Sequence, residues 1–341
     1  LGILSARLLE DRVKEMLIAN INEQVTVPVK VDGGISLSVI KHFPYASVTF
    51  SKISIGDKLR KGKTKLLKAK EVSFLCNIFS LFSDEIEFSK IVISNGELNA
   101  YRNEAGKTNY HILKSPKENV QEKLKVKLKS LLAHGLKLTY TDKTQGMIVD
   151  LEVKSLLLKG NFSEKNFDLD SKGQLHLNRV LANNELLISN RDITLENTLF
   201  VDLQKQKYDF RKGDISVDGT KFIITGSLTA LKDGTSINFK LLSKGKDIQQ
   251  FYSFFPEKYK TGLANASGSG EYTITADING VLKNSSLPKV NVELSLKDGE
   301  LKLGNYNKLL KSVNAAARYE MDETGNDKII ISNFGCTLNN L

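Results

Sequence analysis

The residues best suited to acid–base or metal chemistry near neutral pH are the four histidines, His42, His111, His134 and His176. None stands in an HxH, HExxH or CxxCH element, so their spacing builds no ligand set or proton relay. Cys76 and Cys336 are far apart and neither belongs to a CxxC pair, which reads as two buried or free thiols and no metal. There is no GxSxG elbow, and the carboxylates are scattered among lysines, as solvated charges are. Five residues intervene between Gly56 and Gly62-Lys63-Thr64 where a phosphate-binding loop requires four, and no helix pattern follows. Gly268-Ser269-Gly270 has Thr273 where a dinucleotide fingerprint needs its third glycine. Three sequons, beginning at Asn161, Asn265 and Asn284, are short enough for chance. The expectation is a protein without catalytic residues, cofactor or metal.

Composition points to strands. Of 341 residues, 40% are hydrophobic, enough for a large buried surface, and Trp is absent. Val, Ile, Leu and Thr recur in short alternating runs between Gly, Asn and Asp. A net charge of +10 suits an anionic partner such as a phospholipid headgroup surface. Lysine between apolar residues also protects sheet edges. The basic residues are not interleaved with aromatics in an RRM, KH or OB pattern, so no nucleic acid is expected.

From Ser5 to Asn20, Leu9, Val13, Met16 and Leu17 fall on one helical face opposite charged residues. Such an amphipathic helix packs on the end of a sheet or rests at a membrane surface. Further on, a strand at Ala69–Phe74 leads to an aromatic helical turn at 76–82. Alternation through Ile86 and Phe88 then skips to Ile91 and Ile93, which predicts a bulge. Asn95-Gly96 predicts a type I′ hairpin turn, with a return through Leu98 and Tyr101 and another turn at Asn103–Gly106. Lys114–Asn119 reads as a connection, and Leu124, Val126 and Leu128 as a strand with a cationic outer face. A hairpin loop is expected at Asp142–Gly146. A loose repeat of strands follows, closed by turns at Lys172-Gly173, Lys244-Gly245 and Asp298-Gly299. Asp247–Phe255 reads as a short helix stopped by Pro256, and Gly262–Gly270 as a hinge or boundary.

The order of strand, "SLFS" turn and "IVISNGEL" hairpin within Leu66–Leu113 closely resembles the N-terminal region of the AsmA family, bacterial envelope proteins related to TamB. Ile35–Ile40 followed by Phe43-Pro44-Tyr45 resembles a further family segment, with Lys41-His42 inserted, and the helix at Asp247–Phe255 has a family counterpart. The similarity extends more loosely over nearly the whole chain. It implies a mostly β fold: a long curled antiparallel sheet, a taco-like meander around a groove, with an N-terminal amphipathic helix and one or two short helices. The implied organisation is residues 1–22 as a helix after a membrane anchor, 23–113 as an AsmA-like module, 114–261 as a central β-groove and 262–341 as its continuation. Leu1-Gly2-Ile3-Leu4 and the strand-like Phe334–Leu338 lead to the expectation of a span before Leu1 and more strands after Leu341.

The family is kin to the chorein-type bridge proteins that carry lipid between membranes. The resemblance therefore implies an inner-membrane-anchored periplasmic protein that binds or conducts phospholipids in support of outer-membrane biogenesis. The candidate groove residues are Ile193, Leu195, Ile215, Val217, Phe222, Ile224, Ile237, Phe239, Leu241, Val290, Val292, Leu294 and Leu296. The competing expectation is a non-conducting periplasmic scaffold or chaperone-like factor that acts on outer-membrane protein assembly through envelope protein partners.

Overall fold

The computed structural model describes residues 15, 18–19, 21–23, 25–42, 45–60, 62, 64–77, 88–112, 114, 128–247, 267–283, 286–303 and 308–340. Nearly all of them are strand, in a mostly antiparallel sheet, as the alternating runs predict. The chain divides into two compact units, Leu1–Arg191 and Asp192–Leu341.

The first unit contains β1 (Val29–Val31), β2 (Ile35–His42), β3 (Tyr45–Gly56), β4 (Lys65–Asn77), β5 (Phe88–Arg102), β6 (Ser130–Asp142), β7 (Met147–Lys159) and β8 (Asn166–Ala182). β3 pairs with both β1 and β2, and the order then runs β3-β4-β5-β6-β7-β8. Val48, Phe50, Ile53, Ala69 and Val72 form a core on one face of β3 and β4, and Phe74, Ile91 and Ile93 pack against it. Glu15, Ile18, Ala19 and Ile21–Glu23 are helical, and Ile18 and Ile21 pack on the same core. This is the amphipathic helix capping the sheet. The rest of its predicted length lies outside the described residues, as do the turn at 78–82, the strand residues Leu124 and Val126, and the helix at 248–255.

β5 and β6 run parallel, so the chain between them returns to the starting end. The predicted turn at Asn103–Gly106 begins this return, where Gly106 N–H donates to the Asn103 carbonyl. Buried Asp57 anchors it. Its carboxylate accepts hydrogen bonds from the Leu59 and Arg60 backbone, the Arg60 guanidinium at 2.8 Å and buried Asn109 at 2.9 Å.

The structure corrects several predicted turns. Asn95-Gly96 lies inside β5, Lys172-Gly173 inside β8, and Cys76 and Asn77 belong to β4. Strands here reach 18 residues, against about 5–6 in an average strand. Over that length a turn-like dipeptide can mark a pleat irregularity. Asn95 does adopt the positive φ that its type suggests, 53°, but as an interior bulge-like residue. Gly96 is required because a Cβ there would strike the Lys68 carbonyl of β4. The bulge predicted between Phe88 and Ile91 is present as a register shift that leaves Ser89 extra. True type I′-like turns occur at Asn183-Asn184 (φ 50° and 67°) and Asp218-Gly219 (φ 49° and 85°).

The irregularity at Asn95 continues across the unit. Phe50 and Ile53, Val72 and Ala69, Ile93 and Gly96, Ala133 and Leu136, and Val153 and Leu156 all lie on the apolar face, with two residues between each pair turned away. The intervening positions align transversely as Ser51, Glu71, Ser94, His134 and Ser155. An extra outward residue bends a strand and raises its twist, so five aligned ones crease the sheet of this unit.

β9 (Glu185–Asp202) spans the division between the units. The second unit continues with β10 (Lys207–Val217), β11 (Thr220–Leu231), β12 (Gly234–Asp247), β13 (Ser267–Leu282), β14 (Lys289–Leu303), β15 (Lys308–Met321) and β16 (Asp327–Asn340), each antiparallel to the one before. The predicted turns at Lys244-Gly245 and Asp298-Gly299 lie inside β12 and β14. Ser267–Gly270, the described part of the predicted hinge, is strand in β13.

Candidate functional site

In the second unit, hydrogen-bond register decides which side chains share a face. Leu195 pairs with Ile215, Ile215 with Phe222, Ile193 with Val217, and Ile224 with Leu241. Leu241 pairs with Ala276 and Ala276 with Val292; Phe239 pairs with Ile278 and Ile278 with Val290. Ile237 pairs with Leu228 and Gly280, and Leu294 and Leu296 with Ile274 and Tyr272. Directly opposed residues of an antiparallel pair project to the same side. All thirteen residues singled out from the sequence therefore lie on one face, in rows that run across β9 to β14.

The opposite face is charged and wet. Asn238, Lys240, Lys221, Asp277 and Glu293 are exposed there, and Lys240–Asp277 and Arg318–Glu293 are surface ion pairs at 3.8 and 3.2 Å. Such exposed pairs contribute little stability, about 0–1 kcal/mol.

The apolar face is only partly buried. Ile224 and Leu296 are buried, while the other eleven residues keep intermediate exposure. Its buried cluster, Tyr272, Ile274, Leu296 and Val313, is built from neighbouring strands of the same sheet. Among the described residues of this unit, no helix and no second sheet packs on it. Asn197, Thr220 and Ser243 are buried polar interruptions of its register rows, and the Thr220 and Ser243 hydroxyls have no hydrogen-bond partner.

Register also adds residues that the sequence reading passed over: Tyr208 and Phe210 on β10, Tyr272 and Ile274 on β13, and Tyr319 on β15. Phe210 meets Phe239 edge to face, ring centroids 5.1 Å apart, a pairing of about 0.5–1.5 kcal/mol beyond area. Their period-two spacing was visible, but the shift after Phe210 and the charges of Arg211 and Lys212 broke the run.

The first unit offers one polar pair with chemical potential. Ser94 Oγ and His134 Nε2 lie 2.9 Å apart on adjacent parallel strands. A serine proton could pass to that imidazole. A working triad also needs an acid orienting the far ring nitrogen. Glu71, the carboxylate in this row, lies beyond Ser94 on β4 and not beyond His134. The pair thus lacks the third member in the required order. No group of three His, Cys, Asp or Glu that would hold a metal occurs among the described residues. Nor is any helix among them long and apolar enough to cross a membrane.

The fold and this face define a class: a nearly all-β protein whose mostly antiparallel sheet is apolar on one side and charged on the other. No protein-family model and no curated protein sequence matches the chain.

Proposed function

We propose that the apolar face of β9–β16 binds acyl chains, and that this chain is the periplasmic part of an inner-membrane-anchored, AsmA-like envelope protein. In this role it binds or conducts phospholipids between the inner and outer membranes and performs no catalysis. One observation carries the reading: a register-continuous apolar surface across eight strands, left half-exposed with no described layer over it. Acyl chains need only an unbroken dry surface, whereas headgroups project into water at its margin. The positive net charge suits anionic headgroups there. Bulges and left-handed residues within the long strands, such as Asp298 and Ser312, favour a sheet curved around that face.

The direct test is organic extraction of the purified chain followed by mass spectrometry. Co-purified phospholipid in stoichiometric amount is the expected result. A folded protein that carries none, and takes none from vesicles, overturns the reading in favour of a scaffold acting through protein contacts.

A further inference from the structure

Strands β3, β5, β6 and β8 end, and β4, β7 and β9 begin, along one margin of the first unit. Hydrogen bonds join its loops in series. Lys143 N–H donates to the Arg102 carbonyl at 2.9 Å, and Asn183 N–H to the Gly146 carbonyl at 3.0 Å. Lys58 Nζ donates to the His111 carbonyl, which ties the loop after β3 to the return segment after β5. The buried carboxylates here are already met: Asp57 holds Arg60, and Asp142 accepts from Arg102, Tyr140 and Thr144. On these segments Lys58, Lys65, Lys107 and Lys143 accompany two exposed carboxylates, Glu104 and Glu185, and the loop sequence adds Lys61 and Lys63. Next to the β6–β7 turn, at the start of β9, Leu186, Leu187 and Ile188 are 60%, 47% and 46% exposed, and Tyr110 of the return segment is 37% exposed.

We propose that this margin docks on the surface of an anionic phospholipid bilayer. Consecutive strand residues point to opposite faces, so three exposed apolar side chains in a row present hydrocarbon on both sides of β9. A protein partner laid against the sheet covers one face, whereas an interfacial lipid layer surrounds both. Leu186 and Leu187 lie within about 10 Å of the Asn183-Asn184 turn, the depth to which interfacial segments enter the boundary between headgroups and acyl chains. The lysines beside them suit lipid phosphates, and an exposed tyrosine suits the boundary itself, with its ring in hydrocarbon and its hydroxyl in water. The contact uses residues of the first unit alone and is independent of acyl-chain binding on the second.

The test is sedimentation of the purified chain with vesicles of phosphatidylglycerol and phosphatidylethanolamine, and with vesicles of phosphatidylcholine alone. The expected result is binding to the anionic vesicles that falls with added salt and is about tenfold or more weaker on phosphatidylcholine. Leu187→Asn, and Lys107→Glu combined with Lys143→Glu, each weaken it about tenfold or more and keep the unfolding midpoint. Lys221→Glu combined with Lys240→Glu makes the same change of net charge at exposed lysines of the second unit and leaves binding within about twofold. Phe239→Asp leaves sedimentation unchanged whatever it does to co-purified lipid, which separates this contact from the acyl-chain reading. No binding to anionic vesicles, equal binding to both vesicle types, margin variants that bind like the unmodified chain, or an equal loss in the second-unit variants overturns the proposal.

Discussion

Asn95 on β5 and Gly135 on β6 stand side by side in the parallel pair, both with left-handed backbone, at φ 53° and 62°. A Cβ on Gly135 would sit 2.5 Å from Asn95 Oδ1, so the glycine is fixed by its neighbour as well as by its own torsion. Together they mark the line along which the sheet of the first unit is creased.

Asn95→Val and Gly135→Val are each expected to destabilise the first unit by about 1–3 kcal/mol, because β-branched residues resist positive φ. Asn95→Gly, which meets the torsion freely, should be close to neutral. Denaturant midpoints measure the series, and equal midpoints in all three variants would refute the crease.

The hairpin between β8 and β9 tests the distinction between a real turn and an interior irregularity. Asn184→Gly should keep or slightly raise stability, whereas Asn184→Val should lower it by about 1–2 kcal/mol, the penalty of a left-handed position. Thermal melts of both proteins decide this, and a harmless valine would mean that the loop tolerates another turn type.

Asp57 gives the fold a pH dependence. Burial alone pushes its carboxyl up, but hydrogen bonds from Asn109, Arg60 and Leu59 outweigh burial and hold it below its ordinary value of 3.8. A carboxylate with a lowered folded pKa contributes stability that is present above the unfolded value and lost as pH falls through the folded one. Asp57→Ala is therefore expected to cost about 2–4 kcal/mol at pH 7, since it strips charged hydrogen bonds from buried donors. Urea titrations at pH 7 and pH 3 should show that gap narrowing at the lower pH; a gap that stays constant removes the ionised carboxylate as its cause.

Phe239 and Asn238 are consecutive on β12 and point to opposite faces, half-buried and exposed respectively. Phe239→Asp should leave a β-rich circular dichroism spectrum while co-purified phospholipid falls severalfold, because a carboxylate on a half-exposed face stays partly hydrated and still interrupts the dry surface. Asn238→Asp should change neither. An unfolded Phe239→Asp protein would mean that this strand lies in a closed core. A folded one with an unchanged lipid load would take Phe239 out of the path.

Sequence by itself determined the β character, the two-faced strands and thirteen of the residues that share the apolar face of the second unit. Within each regular run, such as Ile237–Leu241 or Val290–Leu296, a side chain's face follows from period-two alternation, a local property of the pleat. It also marked Asn95 as a residue for positive φ and placed an extra residue between Phe88 and Ile91. Only the tertiary structure decided that Asn95-Gly96, Lys172-Gly173, Lys244-Gly245 and Asp298-Gly299 lie within strands. A glycine serves a tight turn and a close approach between strands equally well, and the difference lies in the neighbouring strand. The parallel pairing of β5 with β6, the aligned crease from Phe50 to Leu156 and the contact of Phe210 with Phe239 arise from register between residues distant in sequence. Register depends on which hydrogen bonds a strand makes with its neighbours, and no single strand's pattern contains its partner.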